Sequence, residues 1–340
     1  MMQKELNGII GAGNWIIDWT KSIDIYPEQD TLANIWSQES NNGGAAYNVL
    51  KDLSRLCATF PLHGIGLIGD DEAGQFIQDD CRKHGIDISG LQVMASASTS
   101  YTDVMLVRET GRRTFFHHRG ANALLDIPHF QFEKYQARIL HLGYLLLLDR
   151  LDGFLQEDKT RAAFVLEMAK DKGLITTVDL VSESRDRFKK IISPSLPYID
   201  YLFLNEYEAS KLTGIDLTTG SLTKPACERA LTEILAGGVQ QWVILHFPEG
   251  VIARQRDGKM ISHGSIIMPP DQSIGATGAG DAFAAGVLYG IHEEWPMERC
   301  LELGVCVAAS SLTHASCSEG IRPVEECLAL KDKYQIRQLH

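Results

Sequence analysis

The chain has 340 residues, 44% of them apolar and 22% charged, enough for residues 1–340 to bury a sizeable core as one large α/β domain or as one domain plus an insertion. Its net charge of −12 argues against nucleic acid or an anionic membrane as the main partner. Seven scattered cysteines without a C-x-x-C pair, no signal-peptide core in residues 1–8 and no membrane-length apolar run lead us to expect a cytoplasmic protein with reduced thiols.

Taken in order, Gly8-Ile9-Ile10-Gly11-Ala12-Gly13 reads as a short buried strand ending in a glycine turn. Gly11-x-Gly13 invites a dinucleotide-binding reading, but Ile16 stands where the third glycine belongs and no helical pattern follows. Residues 31–39 suit a strand. Gly43-Gly44 then turns the chain into a helix with Val49, Leu50, Leu53 and Leu56 on one face. Residues 62–69 form a strand that leads through Asp70-Asp71 to a helix starting near Glu72, which those acids can cap. Residues 100–107 and 112–118 alternate as two strands joined by a hairpin at Glu109-Thr110-Gly111.

Beyond this hairpin, strands are predicted at 138–142, 174–180, 201–204 and 242–245, separated by helix-length segments such as 161–172. That alternation favours a doubly wound parallel sheet, whose ligands lie beyond the carboxyl ends of the strands. Asn205-x-x-Glu208 falls at one such strand-to-helix turn. The spacing places both side-chain oxygens on one helical face, where they could position magnesium through water or form a capping pair.

The densest feature is Gly275-Ala276-Thr277-Gly278-Ala279-Gly280-Asp281-Ala282. A glycine turn opening a helix offers backbone N–H groups at the positive end of the helix dipole, which suits a phosphate. Gly275 to Gly280 fits half of a P-loop, yet Asp281-Ala282 replaces the required Lys and Ser or Thr. A carboxylate there needs a job, and accepting the proton of an attacking hydroxyl supplies one. Residues 282–292 and 297–312 continue as two apolar helices, with Gly286 and Gly290 permitting close packing.

Gly-Ala-Gly-Asp before a small-residue helix start resembles the C-terminal motif of ribokinase-like (PfkB-type) carbohydrate kinases. Gly43-Gly44 with Asn48, Gly69-Asp70-Asp71 with Gly74, Gly120-Ala121-Asn122 and Asn205-x-x-Glu208 also match that family, in the same order. The resemblance implies a three-layer α/β/α sandwich with a small β-strand lid built from about 16–40 and 98–120. It implies ATP-dependent phosphorylation of a sugar hydroxyl, with Asp281 as base and the amides of Gly278, Ala279 and Gly280 as the anion hole. Asp18, Gly43, Gly44 and Asn48 would bind substrate. Asn205 and Glu208 would place Mg2+ beside the nucleotide, and Gly250 and the loop 315–320 would border it.

Arg119 would meet an anionic or polyhydroxyl substrate, or form a surface salt bridge. Trp15 and Trp19 would cover a sugar face or pack beneath a loop, and the lid offers a homodimer surface. The chain departs from the family in two places. Gly275 stands where cation-activated members carry Asp, so little potassium dependence is expected. The loop His246-Phe247-Pro248-Glu249-Gly250 keeps only the last glycine of the family's phosphate loop, so either nucleotide binding is altered or His246 supplies a substitute polar contact. The rival readings are a nucleoside kinase of the same fold, a catalytically impaired sugar-binding or regulatory protein and, more remotely, a nicotinamide-dependent oxidoreductase.

Overall fold

The computed structural model describes residues 6–218 and 222–339, so part of the segment read for a signal-peptide core lies outside the described residues. From its N-terminal side the chain forms β1 (Ile9–Gly13), then β2 (Ile16–Ile23), β3 (Ile35–Gly43) and α1 (Ala45–Arg55). Next come β4 (Leu62–Gly69), α2 (Glu72–Lys83), β5 (Asp87–Met94), β6 (Ser100–Val107), β7 (Arg113–His118) and β8 (Ile139–Leu145). A short hairpin, β9 (Phe154–Gln156) and β10 (Lys159–Thr160), precedes α3 (Arg161–Asp171), β11 (Ile175–Leu180) and α4 (Phe188–Ile192). After β12 (Tyr201–Asn205), α5 (Glu206–Thr213), α6 (Lys224–Ala236) and β13 (Trp242–Phe247), the strands β14 (Gly250–Gln255) and β15 (Met260–Gly264) lead to α7 (Ala279–His292) and α8 (Met297–Ser311).

The main sheet has nine strands in the order β15-β14-β13-β12-β11-β8-β1-β4-β5. The run from β13 to β5 is parallel, whereas β14 and β15 are antiparallel. This edge departs from the expected all-parallel sheet because only Pro248 and Glu249 separate β13 from β14, and so short a connection can only make a hairpin. Alternation along β1 sends Ile9 into one apolar layer and Ile10 into the other. The first layer holds α1, α2, α7 and α8; the second holds α3 to α6. A β-carbon on Gly286 would lie 2.9 Å from the Gly304 Cα, and one on Gly290 would lie 3.1 Å from the Cys300 Cα, which is why α7 and α8 can approach so closely. Among the described residues, no helix is long and apolar enough to cross a membrane.

A second sheet, in the order β3-β2-β6-β7, is assembled from the two excursions on either side of α1 to β5. Its edge strand β3 begins at Ile35 and reaches Gly43, four residues later than the pattern at 31–39 suggests. Asp71 caps α2, accepting from the Gly74 amide at 2.8 Å as its position predicts. Asn122, where the chain returns to the main sheet, exchanges hydrogen bonds with the Trp15 backbone at 3.3 and 3.2 Å. Trp15 does not cover a sugar. It is fully buried, stacks on Tyr47 and donates from Nε1 to the Ile65 carbonyl, while Trp19 packs against the same core.

Candidate active site

The parallel strands end at a common rim, and the order of the sheet reverses there between β1 and β8. The four-stranded sheet stands over this rim and closes a cavity of about 660 Å3. Tyr144 in β8, Asp179 in β11, Asn205 at the end of β12 and His246 in β13 line it from below. Ile16, Asp18, Thr102, Arg113, Phe115 and His117 line it from the lid. Ala276 to Asp281 form its third wall.

Asp281 occupies the first turn of α7 and is almost fully buried. Gly278 caps this helix in the left-handed conformation (φ 76°), and a side chain there would also lie 2.7 Å from the Cys317 Cβ, so both backbone and packing call for glycine. The Asp281 carboxylate accepts from Asn48 Nδ2 at 2.7 Å and from the Tyr144 hydroxyl at 2.7 and 2.8 Å. Asn48 is itself held by Asn42, whose Nδ2 donates to Asn48 Oδ1 at 2.7 Å and to Ser318 Oγ at 2.9 Å. Burial raises the Asp281 pKa, and the two donors pull it part of the way back.

Asp18 lies on the lid strand β2, in register with Thr102 on β6, which in turn faces His117 on β7. Burial, aided by the charge of Asp281, pushes Asp18 up to about 7 against the lowering effect of the Thr102 hydroxyl. Gly43 makes room for it: a β-carbon there would lie 2.5 Å from Asp18 Oδ1. Gly44 caps α1 at φ 86°, where a side chain would lie 2.5 Å from the Asn14 carbonyl oxygen. The chain thus brings Asp18, Gly43, Gly44, Asn48 and Gly278 to Asp281 into one place.

Other residues named from the sequence are engaged differently. Arg119 is held by the Leu146 carbonyl at 2.9 Å, Asp149 at 3.4 Å and Glu183 at 3.9 Å, which is the salt-bridge alternative. Asn205 and Glu208 form a reciprocal capping box, with Asn205 Oδ1 accepting from the Glu208 amide at 3.0 Å and Glu208 Oε2 from the Asn205 amide at 2.9 Å. Ser182 also donates to Glu208 Oε1 at 3.0 Å, and burial brings this carboxyl to about 7. Gly250 is absent from the cavity wall and closes the β13–β14 hairpin, paired with Phe247. His246 stands beneath Gly280 against the Phe283 ring; burial lowers it to about 4, so it is neutral.

This combination matches a known family. The description "pfkB family carbohydrate kinase" fits residues 13–323. The chain belongs to that family. It is therefore a phosphotransferase with an alcohol acceptor, of the sugar and nucleoside kinase group, and kinases of this family use ATP. The nicotinamide-dependent reading falls with this assignment. The kinase is 27% identical over 289 residues to 5-dehydro-2-deoxygluconokinase of Clostridium perfringens, covering 83% of this chain and 81% of that one. It is 25% identical over 296 residues to the ATP-dependent ribose-1-phosphate kinase of Halopiger xanaduensis, covering 86% and 88%. Arabidopsis thaliana ribokinase, solved with ribose and ATP, has the same fold, with a TM-score of 0.78, 20% identity and coverage of 96% and 99%.

Sequence reasoning missed Tyr144, Asn42, Thr102 and Arg113. Tyr144 lies near the end of the apolar strand β8 with no motif around it. Thr102 and Arg113 had a usable signal, since alternation in the two lid strands puts them on fixed faces.

Proposed function

We propose that this kinase transfers the γ-phosphate of ATP to a sugar hydroxyl, with Asp281 as the proton acceptor. The observation that supports this most directly is the buried Asp281 carboxylate, fixed by Asn48 and Tyr144 at the opening of α7. A hydroxyl lying between Asp18 and Asp281 can surrender its proton to Asp281 as it attacks phosphorus. Asn48 acts mainly by orientation, since its amide is shared between Asp281 and Asn42.

The amides of Gly278, Ala279 and Gly280 open α7 and would take the charge of the transferred group. Asn205 and Glu208 suit magnesium only through water, because capping and Ser182 already engage their oxygens. Consistent with this, no group of three or more His, Cys, Asp or Glu suited to direct ligation occurs among the described residues. Magnesium held there would neutralise phosphate charge. The lid would exclude water and so suppress ATP hydrolysis.

Coupled ADP-release assays across pentoses, hexoses, acid sugars and nucleosides test the reading. Asp281→Asn should lower kcat by orders of magnitude with ATP binding retained. Near-normal turnover of that variant would refute the mechanism.

A further inference from the structure

Arg113, Arg119 and Arg185 all line the cavity, but two of them are already neutralised. Arg119 has Asp149 and Glu183, and Arg185 pairs with Glu183 at 3.1 Å. The Arg113 side chain has neither a hydrogen bond nor an ion pair among the described residues. Its guanidinium reaches from β7 across to the catalytic loop, 3.3 Å from where a β-carbon on Gly275 would stand. Burial lowers its pKa, and the neighbour that would oppose this, the Cys317 thiol, is kept protonated and so uncharged by its own burial. A half-buried guanidinium is costly to leave without a counter-charge, and a planar fork of donors fits a carboxylate or phosphate.

A second observation on the same strand points into the same space. His117 lies two alternations beyond Arg113, so both present to the cavity with Phe115 between them. Its Nδ1 meets Thr102 Oγ1 at 3.1 Å, and its Nε2 is buried without a partner among the described residues. Burial lowers His117 to about 4, so the ring is neutral and Nε2 offers one hydrogen-bonding position. Asp18 faces the same space beside this row. One cation and one neutral polar atom therefore await a ligand on the lid side, while Asp281 awaits a hydroxyl below.

We infer that the acceptor is an anionic sugar, a sugar acid or a sugar phosphate, with its negative group on Arg113 and a hydroxyl on His117 Nε2. This rests on the kinase reading above. It also makes Arg113 a specificity-determining residue. The acids around the cavity do not forbid an anion: burial holds Asp18 and Glu208 near 7 and raises Asp179 and Asp281, so their combined charge is reduced near neutrality.

The test pairs neutral sugars with their acid and phosphate counterparts, measuring binding by calorimetry without ATP and turnover by ADP release. At least one anionic member should bind wild type tenfold or more tightly than its neutral partner, and the acid and phosphate arms identify which anion is meant. In Arg113→Met the anionic-to-neutral ratio of kcat/KM should fall about 100-fold, close to 2.7 kcal/mol, with partial recovery in Arg113→Lys. Circular dichroism melts confirm that both variants fold. Equal binding of neutral and anionic partners overturns the inference. So does a uniform fall in kcat on every sugar, which would put Arg113 on the transferred phosphoryl group. Tight anion binding without any phosphoryl transfer would instead overturn the kinase mechanism and leave the Arg113 assignment standing.

Discussion

Replacing Tyr144 with Phe removes one oxygen, and the geometry says where the effect must appear. The Tyr144 hydroxyl donates to both oxygens of Asp281, at 2.7 and 2.8 Å, and burial together with the Asp281 charge keeps it protonated. A hydrogen bond to a charged group contributes about 1.5–3 kcal/mol, and one pKa unit corresponds to about 1.4 kcal/mol. The donor stabilises the ionised form of Asp281, so removing it raises that pKa further. A general base must be ionised to work. The acid limb of the kcat/KM profile therefore moves to higher pH, activity on that limb falls about tenfold or more, and the alkaline plateau stays within a few-fold of wild type. Water entering the vacated space would reduce the shift. Initial rates over roughly pH 5.5 to 9.5 at saturating ATP read the limb directly. A limb that stays in place while the whole profile drops would show that Tyr144 serves packing, and the reasoning about Asp281 would fail with it.

Two further outcomes follow from the same site. Gly43→Ala places a β-carbon 2.5 Å from Asp18 Oδ1, so the sugar KM should rise at least several-fold while the ATP KM holds; equal losses in both would mean a general collapse of the site. Because Gly275 carries no carboxylate, exchanging potassium for sodium should change the rate little, and strong activation by potassium would refute that reading.

Much of the architecture was legible because local pattern and tertiary role coincide. The alternation in β6 and β7, the cap at Asp71 and the small residues of α7 each say the same thing in sequence and in space. The antiparallel edge was hidden because a two-residue connection at Pro248-Glu249 resembles a loop until both strands are placed. Trp15 misled for a related reason: near a glycine turn an aromatic suits a ligand face as well as a core, and only the pairing with Ile65 and Tyr47 decides. Asn205-x-x-Glu208 has the spacing of both a capping box and a metal-positioning pair, and the structure shows the capping box.

The two lid arginines show where sequence reading ends. Arg119 and Arg113 have the same side chain, six residues apart, and both reach the cavity. What separates them is whether a carboxylate from elsewhere arrives. Asp149 and Glu183 come to Arg119 across 30 and 64 residues, while among the described residues no carboxylate pairs with Arg113. Position on the strand explains the difference: β7 ends at His118, so Arg119 turns toward the loop at Leu146, whereas Arg113 lies within the strand and points inward with Phe115 and His117. A charge committed to the fold is neutralised when the chain closes. One left open inside a cavity is a statement about the ligand, and it is Arg113, not Arg119, that makes it.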